Sequence, residues 1–291
     1  MRVGVVGHRG YAGLPDVLRT VHRLAPALGL ELLVEASLRD LDGAGPPLDD
    51  PTTLDAVLSL GGDGTFLRGA RLLDGHQAPV LGVNLGRLGF LTTCQADDLE
   101  AALTSLARGD YRAERRMALR AVVLSAEGEA RAEWTALNDV VLHKGGFARL
   151  LRITVEAEDD VVATYAADGI VVSTPTGSTA YSLSAGGPIV VPTVESILLT
   201  PISAHTLAIR PLVLPPTERL SVRVDDVEHE VLVTVDGQEG TTFGRGETLV
   251  LTRAPQPVLV VRLRGTSFFT RLRHKLAWGG LAERDDTTHA R

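Results

Sequence analysis

The sequence predicts an α/β N-terminal domain with a mainly parallel sheet, followed by a β-rich, sandwich-like C-terminal domain. Up to about residue 110, short apolar runs alternate with stretches of helical spacing, the pattern of a parallel α/β sheet. Beyond it the texture changes to short β-branched segments separated by turns, as in an antiparallel sandwich or barrel. A length of 291 residues suits two domains, each able to bury its own core.

In order, residues 3–6 read as a short buried strand, and Leu14, Val17, Leu18, Val21, Leu24 and Leu28 fall at helical spacing. Gly29 is placed to end that helix before a second strand, Glu31 to Val34. After the Gly- and Pro-rich linker 43–47, the run Ala56 to Leu60 ends at Gly61-Gly62-Asp63-Gly64-Thr65. Phe66, Leu67, Ala70, Leu72 and Leu73 then resume helical spacing, and Val80 to Val83 gives another strand. The β-rich part, 111–265, contains the expected strands Leu119 to Leu124, Ala136 to Leu142, Leu151 to Val155, Ile170 to Ser173, Leu220 to Val224, Val231 to Val235, Thr248 to Leu251 and Val258 to Val261. A final segment, 266–291, holds a basic, weakly helical stretch from Phe268 to Leu276 and a tail expected to fray from Glu283.

Composition narrows the function. A net charge of −7 argues against a surface that neutralises nucleic acid or an anionic membrane, but local N–H groups can still bind a phosphorylated ligand. The single cysteine, Cys94, excludes an intramolecular disulfide and reads as a small packed residue. The N-terminus lacks the layout of a secretory signal, and no apolar run reaches membrane-spanning length, so a cytoplasmic protein is expected. The histidines show no zinc-ligand spacing, no G-x-x-x-x-G-K-[ST] occurs, and Gly4 to Gly10 lacks the G-x-G-x-x-G spacing of a dinucleotide fold.

Two elements carry the chemistry. Gly61-Gly62-Asp63-Gly64-Thr65 lies where a parallel strand meets a helix, the place where open α/β sheets bind ligands. Its glycines let backbone N–H groups approach phosphate oxygens, which makes Gly61, Gly62, Gly64 and Thr65 candidate phosphate contacts. Asp63 would then accept a proton from an attacking hydroxyl or hold a cation, the plain alternative being a helix N-cap in a tight turn. The second element, Asp168 to Ser182, packs five hydroxyls into Ser173 through Thr179, suited to sugar and phosphate oxygens or, more simply, to a Ser/Thr-rich turn.

Together these elements resemble the NAD kinase family. The turn at 61–65 is shared with diacylglycerol, sphingosine and phosphofructokinases, whereas Asp168 to Ser182 is far more specific. Asn138-Asp139-Val140-Val141-Leu142-His143 and Asp236-Gly237-Gln238 also fit, so the resemblance runs from about residue 55 to Lys275. It implies that the end of the chain returns to the first domain. It also implies homodimers or homotetramers whose NAD sites are completed by a neighbouring subunit.

By the same resemblance Asp63 orients or deprotonates the ribose 2′-hydroxyl of NAD, Gly64 approaches the ligand through its backbone, and Arg68 faces phosphates unless it is simply an exposed helix residue. Asn138 would bond the adenine and Asp139 the ribose hydroxyls. Arg149 would lie near a phosphate or the neighbouring subunit, and Asp168 would serve the nicotinamide side. Thr179, Ala180, Tyr181, Ser182, Leu183 and Ser184 would line the adenosine pocket, with Gln238 closing it; ordinary packing is the alternative for Tyr181. Two departures stand out: Ala166 replaces a larger polar or basic residue of some members, and Asp139 is one methylene shorter than the usual glutamate.

The implied reaction is transfer of the terminal phosphoryl of ATP or inorganic polyphosphate to NAD. A divalent cation, magnesium by expectation, would be carried mainly by the donor phosphates rather than by a protein metal site. A lipid or sugar kinase sharing the turn and a non-catalytic NAD(P)-binding regulator remain as alternatives.

Overall fold

The computed structural model of the chain describes residues 1–276 apart from 42–44, 87–88, 147–149, 159, 206–209, 226–229 and 266. Its first body is a sheet begun by four strands that pair in parallel: β1 (Arg2–Gly7), β2 (Glu31–Val34), β3 (Ala56–Gly61) and β4 (Val80–Asn84). Buried residues follow one another along these strands without alternation, because helices cover the sheet. The covering helices are α1 (Leu14–Leu24), α2 (Asp63–Leu72) and α3 (Leu99–Arg108). The helix expected through Leu28 stops at Leu24 and tightens into a 3₁₀ turn at Pro26–Leu28, since proline has no N–H to continue the ladder. Two further strands follow, β5 (Cys94–Gln95) beside β4, and β6 (Arg112–Arg116).

The second body is a sandwich. In chain order its strands are β7 (Leu119–Leu124), β8 (Ala130–Ala136), β9 (Asp139–Lys144), β10 (Leu151–Ala157), β11 (Asp160–Ala167) and β12 (Gly169–Ser173). A short helix, α4 (Tyr181–Ser184), precedes β13 (Ile197–Ile202), β14 (Leu212–Leu214), β15 (Leu220–Val224), β16 (Val231–Val235), β17 (Glu239–Phe243) and β18 (Thr248–Arg253). They form two antiparallel sheets, β11-β10-β15-β18-β7-β8 and β14-β13-β12-β9-β16-β17. Between the sheets lies an aliphatic core to which alternate residues contribute, such as Val231, Val233 and Val235 of β16.

The strand expected over Ala136 to Leu142 is broken between β8 and β9. The Asp236 carboxylate accepts the N–H groups of Leu137 (3.1 Å), Asn138 (2.7 Å) and Asp139 (3.2 Å), replacing the partners a neighbouring strand would supply.

The chain end completes the first body with β19 (Val258–Arg262), parallel to β4 and antiparallel to β6, and with α5 (Phe268–Leu276). Sheet membership thus divides the bodies after Arg116 and again at Val258, where the sequence suggested 110 and 266. The expected return of the C-terminal segment to the first domain is observed. Cys94 is buried beside α3, and burial pushes its thiol up to about 12, as befits a packed residue. Among the described residues no helix is long and apolar enough to cross a membrane.

Candidate active site

The Gly61 to Thr65 turn leaves the carboxyl end of β3 and opens directly into α2. Gly62 occupies the N-cap position and no side chain caps the helix; the N–H groups of Thr65 and Phe66 turn back to the Gly62 carbonyl. Asp63 is the first helical residue, which replaces the N-cap alternative. Its carboxylate reaches the next loop: Oδ2 accepts from the Phe90 N–H at 2.8 Å, and Oδ1 from Leu91 at 3.0 Å and Thr92 at 3.4 Å. A Cβ at Gly89 would overlap Asp63 Oδ1, so this close approach of backbone to carboxylate requires glycine there. Thr65 is buried under the turn, its hydroxyl filling the space a Cβ at Gly61 would need.

The turn meets the sandwich through Gln238. Its Nε2 donates to the Gly64 carbonyl at 2.7 Å, and its Oε1 accepts from Arg71 Nη2 at 2.8 Å. Arg71 also pairs with Glu239 at 2.8 Å, so α2 is latched to the β16–β17 turn. Arg68, expected to face phosphates, is turned toward β1 and β2. It donates to Glu35 Oε1 at 2.7 Å, to Glu35 Oε2 at 3.2 Å and to the Gly7 carbonyl at 2.6 Å, a forked match to a carboxylate of the first sheet.

On the sandwich side the site gathers at the start of β9. Asp139 is buried near the start of α4, where the Tyr181 N–H favours its charged form; burial, reinforced by the nearby Asp236, outweighs this and pushes its carboxyl up to about 7. Asp236 is likewise raised, chiefly by burial, against the lowering effect of its three N–H donors. Asn138 is fixed through its backbone, its carbonyl accepting from Thr174 N at 2.9 Å. A Cβ at Gly177 would overlap that carbonyl, so Gly177 lets the hydroxyl-rich loop close on Asn138.

Of the two readings open for that loop, its buried hydroxyls follow the simpler one, a Ser/Thr-rich turn. Ser173, Thr174, Thr176 and Ser178 are all buried. Thr174 Oγ1 donates to the Leu137 carbonyl at 2.5 Å and accepts from Gly177 N at 3.0 Å. Ser178 Oγ donates to the Pro175 carbonyl at 2.7 Å and accepts from Val190 N at 3.0 Å, and Thr176 Oγ1 accepts from Arg116 at 3.1 Å. Thr174 and Ser178 thereby hold the loop's backbone in shape, Ser173 Oγ has no partner, and exposed groups follow them. Thr179, Ala180 and Leu183 are half-buried, while Tyr181, at 45% exposure, and Ser184 are open, so Tyr181 is not ordinary packing. Ser182 is buried and shares a hydrogen bond with Thr200 at 3.0 Å. Asp168, at the start of β12, pairs with Lys144 at 2.6 Å, and Ala166 is exposed on β11. Arg149 lies outside the described residues.

Comparisons with known proteins give the family. Residues 49–111 match the model of the ATP-NAD kinase N-terminal domain, and residues 137–263 that of the C-terminal domain. A protein named NAD kinase from Gemmatimonas aurantiaca is 59% identical, over 98% of this chain and 99% of its own length. One from Moorella thermoacetica is 47% identical, over 81% of this chain and 75% of its own. The chain belongs to the NAD kinase family. Among solved structures, an NAD kinase from Archaeoglobus fulgidus in complex with ATP superposes with a TM-score of 0.76 at 26% identity, covering 95% of this chain and 99% of that one. Yeast NADH kinase complexed with NADH shares the fold, with a TM-score of 0.85 at 23% identity over 98% of this chain and 89% of that one.

Like its relatives, this NAD kinase family member is a phosphotransferase. Several residues that shape its site were missed from sequence. Behind the Asp63 loop, Arg116 donates to Glu114 at 2.6 Å, and Arg262 contacts Glu114 and the Leu91 carbonyl, each at 3.4 Å. Arg271 of α5 donates to the Phe90 carbonyl at 2.7 Å. Burial lowers Arg116 and Arg271 to about 10 each, still charged at neutral pH. Asn84, beside Gly61 at the end of β4, is also buried, with Nδ2 on the Gly86 carbonyl and no partner for Oδ1. The one local signal was Glu114 and Arg116 two apart in a strand, hence on one face.

Proposed function

We propose that this family member phosphorylates the 2′-hydroxyl of the adenosine ribose of NAD, using ATP or inorganic polyphosphate, to give NADP. The observation that carries the reading is the Asp63 carboxylate, fixed beside an uncapped helix N-terminus and tied through Gly64 and Gln238 to the sandwich. Oδ1 accepts two N–H groups and Oδ2 one, so Oδ2 keeps a lone pair for the proton of the attacking hydroxyl. The open N–H groups of the Gly62 to Gly64 turn suit the donor phosphates. In-line transfer then depends mainly on positioning and charge stabilisation.

Asp139 and Asn138, held by the Asp236 turn and the Thr174 loop, would orient the adenosine, with exposed Tyr181 beside them. A magnesium ion, when bound, neutralises charge on the donor phosphates. A homodimeric or homotetrameric assembly and a cytoplasmic location belong to the same reading.

The pure protein incubated with NAD, magnesium and either ATP or polyphosphate should form NADP. NAD binding without NADP would leave a non-catalytic binder, and turnover only with a lipid or sugar would move the protein to that wider group. Light scattering of the same sample gives the oligomer.

A further inference from the structure

We propose that Arg271, on the returning helix α5, is a positioning residue that sets the direction of the Asp63 carboxylate. The inference rests on the reading of Asp63 as the base. Among the described residues, the hydrogen bonds of the Asp63 carboxylate go to the backbone of the facing loop, to the N–H groups of Phe90, Leu91 and Thr92. The direction of those N–H groups is therefore the direction of the carboxylate.

The carbonyl sides of the Leu91 and Thr92 peptides, which donate to Oδ1, are held from the C-terminal segment, and the Thr93 side chain is anchored there too. Arg271 Nη1 donates to the Phe90 carbonyl at 2.7 Å, Arg262 Nη1 reaches the Leu91 carbonyl at 3.4 Å, and Thr93 Oγ1 donates to the Val261 carbonyl at 2.6 Å. A peptide group is rigid, so fixing its carbonyl fixes its neighbouring N–H. The ring of Phe90 is covered by the same helix, 6.2 Å from Phe268 between centroids and with Lys275 Nζ 4.9 Å from its own. Arg271 is itself 5% exposed, too deeply buried to serve as a solvent-facing phosphate contact. Asn138, Asp139 and Gln238 stand on other elements, so moving the loop should affect chemistry before it affects NAD binding.

Misplacing a reacting group by about 1 Å can cost about 10²-fold in rate. With NAD, ATP and magnesium, Arg271→Ala should lower kcat by about 10- to 100-fold, with the KM for NAD within about threefold of wild type. Added guanidinium ion should restore part of that kcat and none in Asp63→Asn. Arg271→Lys, which keeps a charged donor, should fall between wild type and Arg271→Met. Should Arg271→Ala not fold, Gly89→Ala tests the same loop with Arg271 intact, because the added Cβ must displace Asp63 Oδ1; it should show the same split between kcat and KM. Wild-type kcat in folded Arg271→Met, or a loss that guanidinium does not relieve, overturns the positioning role. Wild-type kcat in Asp63→Asn would instead overturn the reading of Asp63 on which it rests.

Discussion

At residues 61–65 the chain pairs one carboxylate with a helix start that no side chain caps, whereas at 173–178 three buried hydroxyls are bonded inside the protein. The first turn holds one carboxylate, oriented from outside by N–H groups of residues 90–92, and presents an uncapped helix start. The second has hydroxyls in abundance, yet Thr174, Thr176 and Ser178 are buried and bonded within the protein. The loop closes on Asn138, just before β9. A group that must act during the reaction needs a free lone pair, and a scaffold satisfies most of its buried polar groups, Ser173 Oγ being the exception in this loop.

The largest expected effect tests the open side of this contrast. Asp63→Asn keeps the shape but not the basicity, and turnover should fall by on the order of 10²- to 10⁴-fold while NAD still binds by calorimetry. Unchanged turnover would remove Asp63 from the chemistry.

Next comes Asp139. Its carboxyl is raised from 3.8 to about 7 in the fold, so between those values the folded protein holds a proton that the unfolded chain releases. Its contribution to stability is therefore full below about pH 4, declines as pH rises toward about 7 and is flat above. Relative to Asp139→Asn, the wild type should lose on the order of a few kcal/mol across that window, read from urea melts at several pH values. Equal pH slopes in the two proteins would contradict the buried, proton-holding state. If the ionised carboxylate binds ribose hydroxyls, KM for NAD should also fall as pH passes 7 in the wild type only.

Thr174→Val probes the satisfied side. It strips a buried carbonyl and a buried N–H of their partner, at about 1–3 kcal/mol each, and should lower Tm with KM for NAD nearly unchanged. A raised KM at constant Tm would make the hydroxyl a ligand contact after all. The smallest effect is expected for Arg68→Met, about 1 kcal/mol in stability, because the partly exposed pair is screened and Glu35 retains the Gly7 N–H. A tenfold rise in KM for the phosphoryl donor would return Arg68 to the phosphates.

The alternation of strand and helix, the change of texture beyond 110 and the strand–turn–helix around Asp63 are local patterns, and sequence alone determined them. Periodicity reports which faces are buried, and a glycine-rich turn reports where the backbone must approach something closely. It could not report that Asp236 splits the strand at 137–138, because that carboxylate comes from about 100 residues away. Nor could it assign β6 and β19 to the first sheet, since short β-branched or charged runs read alike in either body. The direction of Asp63, the capture of Arg68 by Glu35 and the bracing of residues 90–92 by Arg262 and Arg271 were decided only by tertiary structure. Each is a contact between groups far apart in the chain, where chain return and close packing, not local spacing, choose the partner.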